Sequence, residues 1–275
     1  MSREEKYKVF QALHARSSAF VIPNPWNAGT ARILTALGFE ALATTSAGYA
    51  FDAGRLDSSA GLTREGVLAN ARAIVEATHL PVSADLEDGF GRSPEACAET
   101  IGLAVDAGLA GGSIEDATGD SAAPIYEFAL AVERVAAAVG IARERHFVLT
   151  ARAENFLHGR ADLSDTIRRL QAFEAAGADV LYAPGLPSLD AIRTVCASVS
   201  KPVNVVMGLK GATYSVSELA AAGVRRISVG GAFARAALGA FVRAALEVRD
   251  QGTFDFAADA MPYAEARTYM DPSKR

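Results

Sequence analysis

Eight times along this chain a short β-rich run gives way to an amphipathic stretch, and that alternation constrains the fold more than any single residue does. The runs are FVIPN at 20–24, ALATTSAG at 41–48, VSADL at 82–86, GGSIED at 111–116, FVLTARAE at 147–154, DVLYAPG at 179–185, VNVVMG at 203–208 and RRISVG at 225–230. Helical patterns such as NAGTARILTALG and DTIRRLQAFEAAGA lie between them. Apolar strands separated by helices have to be covered on both faces, which describes a parallel sheet. Gly108, Gly177 and Gly223 stand where helices end and let the chain reverse into the next strand. Eight such units in 275 residues fit a closed α/β fold, a (β/α)8 TIM barrel, better than an open doubly wound sheet. With no linker or low-complexity tract to divide it, the chain reads as a single domain over 1–275, opened by a helix near residues 3–15. The C-terminal extension from about residue 250 keeps Phe254, Phe256, Tyr263 and Tyr269, and is expected to dock on the barrel or on a partner subunit of a homo-oligomer, dimer or tetramer.

Composition narrows the partners. The net charge is -5 with both signs interspersed, so no basic stripe is available for nucleic acid. No run approaches the ~20 apolar residues of a membrane span, and the start, MSREEKYKVFQALH, is polar and amphipathic rather than a secretory signal. A cytoplasmic protein is expected. Cys97 and Cys196 form no CxxC or zinc spacing and are expected as reduced thiols.

In a barrel of this kind the active site lies at the C-terminal ends of the strands, and the unusual polar residues fall there. They are Asn24, then Thr45 and Ser46, Asp85 and Glu87, Glu115 and Asp116, then Arg152, Glu154 and Asn155, with Tyr182 in the sixth strand and Asn204 near the start of the seventh. Asp85 and Glu87 sit two apart, so in an extended strand both face one side. That suits a hard cation or acid/base work, the plain alternative being a cap for the next helix. Asp85, Glu87 and Glu115 bring three negative charges to adjacent strands, which calls for shared protons or a cation. Magnesium is the simplest answer, and manganese takes the same oxygen ligands. Arg152 offers a planar fork for a substrate carboxylate, or else an ion pair with Glu154 or Glu115. Asp88, facing away by strand parity, reads as a loop or cap residue.

These residues resemble the isocitrate lyase and phosphoenolpyruvate mutase superfamily. The resemblance rests on Asp85-Leu86-Glu87-Asp88-Gly89-Phe90-Gly91, on Ile114-Glu115-Asp116, and on Thr150-Ala151-Arg152-Ala153-Glu154, with Ser46 in TTSAG and Asp57 in GRLDSSAGLT beside them. It covers roughly residues 15–240. It implies a magnesium-dependent barrel acting on a small 2-oxo acid or its aldol or phosphonate relatives through a metal-held enolate. Asp85, Glu87 and Glu115 then carry the metal or its waters, and Arg152, Glu115 and Asp57 do the catalytic work. Ser46, Ala47, Gly48, Arg152, Glu154, Asn204 and Tyr182 bind substrate. Lyases of this kind carry a Lys-Lys/Arg-Cys-Gly-His loop after strand four, where this chain reads ATGDSAAP at 117–124, which argues against a conventional isocitrate or methylisocitrate lyase. Ala117 replaces the lysine usual in the phosphonate branch. The expectation is a carbon–carbon lyase or decarboxylase acting on an oxaloacetate-like substrate.

Three other readings compete: a non-catalytic 2-oxo acid binding protein, a phosphonopyruvate-type P–C bond enzyme, and a Schiff-base aldolase using Lys210, the one lysine near the mouth. Among the histidines, His14, His79 and His146 belong to the opposite end or the opening helix, and His158 is the candidate proton carrier. Trp26 reads as packing beneath the site.

Overall fold

The structure is a computed structural model that describes residues 1–57 and 61–271. Lys274, in the C-terminal extension, lies outside the described residues. The opening helix α1 (Arg3–Ala15) starts where expected, because Ser2 and Glu5 cap one another: the Glu5 amide donates to Ser2 Oγ and the Ser2 amide to the Glu5 carboxylate. Eight parallel strands follow: β1 (Phe20–Ile22), β2 (Leu42–Ala43), β3 (Val82–Asp85), β4 (Gly111–Glu115), β5 (Val148–Arg152), β6 (Val180–Tyr182), β7 (Val203–Val206) and β8 (Arg226–Ser228). They pair in the order β1-β8-β7-β6-β5-β4-β3-β2. The helices between them are α2 (Ala28–Ala36), α3 (Ser46–Asp52), α4 (Arg64–Ala77), α5 (Pro94–Asp106), α6 (Phe128–Glu144), α7 (Leu163–Ala176), α8 (Leu189–Ser198) and α9 (Val216–Ala221). This is the (β/α)8 barrel that the alternation predicts.

The seam between β1 and β2 is closed at the mouth by side chain as well as backbone. The Ala43 amide donates to the Pro23 carbonyl at 3.0 Å. Asn24 then spans the gap: its amide group donates to Thr44 O, while its Oδ1 accepts from the amides of Val229 and Gly230, each at 2.9 Å. The second strand is shorter than its sequence run, and the placement of Thr45 and Ser46 within it is corrected. Thr45 caps α3, its side chain accepting from the Gly48 amide, and the chain turns helical at Ser46.

The opposite end of the barrel is plugged by α1. Phe10 and Leu13 pack against Phe20, Ala110, Val148 and Val180 at the strand starts. Gly111 makes this possible, since a Cβ there would stand 2.7 Å from Phe10 Cε1. His14 is the polar member of the plug. Its Nδ1 lies 2.8 Å from Phe10 O and its Nε2 3.4 Å from Arg226 Nη1. The ring therefore accepts from the arginine as a neutral imidazole.

After β8 the pattern changes. The long helix α10 (Ala232–Gln251) buries Ala234 and leaves Phe241, Val242 and Leu238 exposed. A 3-10 turn and α11 (Tyr263–Met270) follow. Helix α11 lies against α2, where Arg32 donates to the Met270 carbonyl. Phe254 and Tyr263 nevertheless stay 65 % and 80 % exposed.

Burial, followed by the charge of Arg226, pushes the His14 pKa down to about 3, below the ~6.5 of an unfolded chain. Below pH 6.5 the unfolded state binds the extra proton, so stability is complete above that pH and falls as pH drops toward 3. Denaturant titrations should show wild type losing about 1.4 kcal/mol per pH unit in this window from this residue. A His14→Gln variant should lack that component.

Candidate active site

The ladder register assembles the mouth. Glu115 pairs with Arg152, Arg152 with Tyr182, Tyr182 with Asn204, and Asn204 with Arg226. Residues paired across a parallel ladder share a face. One polar row thus winds around the barrel interior, from the C-terminal end of β4 to the first residue of β8.

Arg152 is the hub of the upper part of this row. Its Nη1 lies 3.0 Å from Asp85, its Nη2 3.1 Å from Glu115 and its Nε 2.8 Å from Glu154, and its guanidinium lies 5.0 Å from the centre of the Tyr182 ring. Burial alone would depress its pKa, but Glu154, Glu115 and Asp85 outweigh that and hold it charged. Of the two roles posed from the sequence, the ion pair with Glu154 and Glu115 is the one the structure contains. Glu115 is pushed the other way, well above the ordinary range, first by burial and then by Glu154, Glu87 and Asp85, with Arg152 opposing. Glu87 is also raised, by burial and then by Asp85, and its Oε1 is buried without a hydrogen-bond partner.

Strand parity does not place Glu87. The strand ends at Asp85, and Glu87 and Phe90 adopt left-handed φ values of 51° and 56°, each costing about 1–2 kcal/mol for a side-chain-bearing residue. Glu87 still joins Asp85, Asp57, Glu115 and Arg152 around a cavity of about 440 Å³. The turn is held from outside by Arg134 of α6, which donates to the carbonyls of Asp88, Gly91 and Arg92 and lies 4.1 Å from the centre of the Tyr126 ring. Asp88 accepts from the Phe90 amide and the Tyr126 hydroxyl, the loop role expected of it. Arg134 and Tyr126 carry no sequence signal for this role, because Arg134 looks like an ordinary residue within α6 and Tyr126 like one that flanks it.

Ser46 donates to Asp85 from its amide and its hydroxyl, the latter at 3.0 Å, and Thr44 Oγ1 accepts from the Asp85 amide. Ala47 lines the inner end of the site. Gly48 is packed so that a Cβ would lie 2.6 Å from Thr45 Cγ2 and 2.8 Å from Trp26 Cβ, which fits the packing role expected of Trp26. Asn204 is spent deeper in the barrel, accepting from Arg226 and donating to Ser228. Arg226, buried and bonded also to Thr150, is an interior cation with no signal in the residue pattern. Asp116 turns away to Arg169 at 3.0 Å and accepts from the Glu154 amide, so it supports the wall rather than lining it. Asn155 likewise bonds Asp165.

The segment 117–124 folds upon itself. Ala117 bridges Ile125, Thr118 bonds Ala123 O and Pro124 O, and Asp120 accepts from the Ala122 amide. Gly119, Asp120 and Ser121 form one rim of the cavity, with exposed His158 on the rim as well. Lys210 is exposed in the loop after β7, outside the wall of this cavity.

The barrel and the strand-end position of these groups define a (β/α)8 protein with its candidate site at the C-terminal face. Residues 10–249 match the phosphoenolpyruvate phosphomutase family, and the chain belongs to that family, within the isocitrate lyase and phosphoenolpyruvate mutase superfamily. A solved structure from Burkholderia cenocepacia, described as a lyase or mutase, is 57 % identical and superposes with a TM-score of 0.95, covering 98 % of this chain and 97 % of that one. The 2-methylisocitrate lyase of Escherichia coli is 28 % identical over 82 % of this chain and 78 % of its own. Oxaloacetate decarboxylase of Chromohalobacter salexigens is 26 % identical over 95 % of each.

Removing the Arg134 guanidinium leaves three loop carbonyls without their donor. Arg134→Met should cost about 2–4 kcal/mol in urea denaturation, with Arg134→Lys recovering part. Cys97, buried with its Sγ 3.6 Å from Asp88 O and its pKa raised to about 11, should become reactive to thiol reagents at neutral pH in the Met variant.

Proposed function

We propose that this protein is a magnesium-dependent lyase-type enzyme that cleaves or decarboxylates a small 2-oxo carboxylate of the oxaloacetate class. One observation carries the reading: Asp85, Glu115 and Glu154 all bond the single guanidinium of Arg152, with Glu87 beside them on the same cavity. Four carboxylates against one arginine leave an excess of negative charge in a poorly hydrated place, which protons or a cation must offset.

The residues present fit a hard cation. The donors are all oxygens, and Glu87 Oε1 is a buried acceptor with nothing bonded to it. No three acidic, histidine or cysteine side chains converge directly among the described residues, so a magnesium ion here would keep several of its waters and take few direct carboxylates. Asp85, Glu87 and Glu115 would hold it, through water where they do not converge, and manganese accepts the same donors. Bound there, the cation supplies positive charge against the negative charge that develops on the oxygens of a 2-oxo acid.

The chain's own groups divide the remaining work. The planar fork of Arg152 matches a substrate carboxylate, and its Nη1 edge, now on Asp85, borders the cavity. Ser46 Oγ donates toward the same carboxylate and orients what binds beside it. Asp57, on the cavity wall, has its pKa raised by loss of hydration and by Asp85. His158 stands on the rim where a proton can be passed to solvent. The free thiols Cys97 and Cys196 fit work in the reducing cytoplasm, and no described helix is long and apolar enough to cross a membrane. The self-bonded segment 117–124, with no Cys, Lys or His, favours a second reading in which the same site binds a 2-oxo acid without turnover.

Asp85→Asn should lower magnesium-dependent turnover of oxaloacetate by roughly 100-fold or more and abolish magnesium-dependent oxalate binding, with the barrel still folded by circular dichroism although less stable. Full retention of turnover and binding would sink the metal reading, and tight oxalate binding by wild type without product would select the second one. The exposed apolar face of α10 further supports a homo-oligomer, because monomers seldom leave such a face in water. Phe241→Glu, at a position 69 % exposed, should shift the mass measured by light scattering toward the monomer, whereas a wild type already monomeric would refute this.

A further inference from the structure

Beside the carboxylate cavity, between the loops that follow β5, β6 and β7, lies a second chamber of about 430 Å³. Leu186, Met207 and Tyr214 contribute to its lining, and its one charged lining residue among those described is the exposed Lys210. The two spaces share a wall: Leu157, Pro184, Val206 and Leu209 line this chamber and also the inner end of the site where Asp85 and Arg152 stand.

Two of those shared residues are out of place in water. Leu157 and Leu209 are 49 % and 39 % exposed at the lip of a mouth whose other groups are mostly charged. Leu157 is seated rather than loose. It packs over Gly185, where a Cβ would come within 3.0 Å of Leu157 Cδ2, so the loops after β5 and β6 hold it at the boundary.

We propose that this chamber is a specificity pocket for an apolar substituent, so that the ligand is a 2-oxo acid with a hydrocarbon branch or tail of several carbons. The inference rests on the 2-oxo acid reading of the adjoining site. With the oxo-acid end at Arg152, a ligand reaching past Leu157 and Leu209 covers both leucines and meets apolar walls. A second carboxylate sent the same way would lose its hydration against Leu186 and Met207 with little to replace it. The chamber therefore rewards each methylene added to a branch that enters it and disfavours a further carboxylate carried on that branch, while the carboxylates of an oxaloacetate-like core stay in the charged site.

Calorimetry with the full-length protein and magnesium tests this with oxalate, pyruvate, 2-oxopentanoate and 2-oxoheptanoate as probes. Affinity should rise roughly fourfold per buried methylene, about 250-fold from pyruvate to 2-oxoheptanoate with all four added carbons buried and at least about 16-fold with two of them buried. In Leu209→Asn and Leu157→Asn the ratio between those two affinities should shrink by about fourfold. Affinity that is flat or falling with chain length, while oxalate still binds, overturns the pocket and leaves the metal site standing. A chain-length gain unchanged in both variants also overturns it, because the tail then binds elsewhere. Failure of oxalate to bind with magnesium overturns the underlying 2-oxo acid reading and the pocket with it.

Discussion

The three-way clasp of Arg152 by Asp85, Glu115 and Glu154 is the interaction on which the rest of the mouth depends. Buried ion pairs repay their desolvation only when every partner is in place, and losing one member typically costs about 3–5 kcal/mol. Here the members come from β3, β4 and β5 and the turn after β5, so the charge cluster ties the strand ends together while leaving negative charge in excess. A purely structural clasp would balance its charges. The imbalance, with the raised pKa values of Glu115 and Glu87, calls for bound protons or a further cation, and the second is what the proposed magnesium site supplies.

That clasp is possible because of the barrel's register. The polar row from Glu115 through Arg152, Tyr182 and Asn204 to Arg226 descends from mouth to floor, and α1 closes the floor with Phe10, Leu13 and a neutral His14 against Arg226. Arg226 bonds the neutral partners Asn204, Thr150 and His14, and burial lowers its pKa to about 10. Its charge lies along the row from the acidic mouth, at the other end of the same interior. Asn24 completes the enclosure by bonding to β2 and to the end of β8.

Much of this was legible in the residue order. All eight strands fall inside their apolar runs, because a strand covered on both faces leaves little freedom of pattern. Asp85, Glu87, Glu115 and Arg152 were recognisable as a set because charged residues at the ends of such strands are costly unless used. Glu87 was found by the wrong geometry: parity requires an extended chain, and the left-handed turn of 87–90 places its carboxylate instead. Thr45 and Ser46 are expected in the second strand from the apolar run, whereas Thr45 caps a helix that starts at Ser46. The cap was visible only once Thr45 was known to stop pairing.

The sequence by itself determined the (β/α)8 architecture and the acidic, oxygen-rich chemistry of one barrel end, because periodicity and local composition are encoded residue by residue. Tertiary structure decided which of those groups touch. Glu154 clasps Arg152 while its neighbour Asn155 bonds Asp165, and Asp116 turns to Arg169 while Glu115 faces the cavity. Arg134, some 40 residues from the loop it secures, and the apolar wall shared by Leu157 and Leu209 arise only from closure. Contacts between distant segments depend on strand stagger and helix placement, and those are properties of the packed whole.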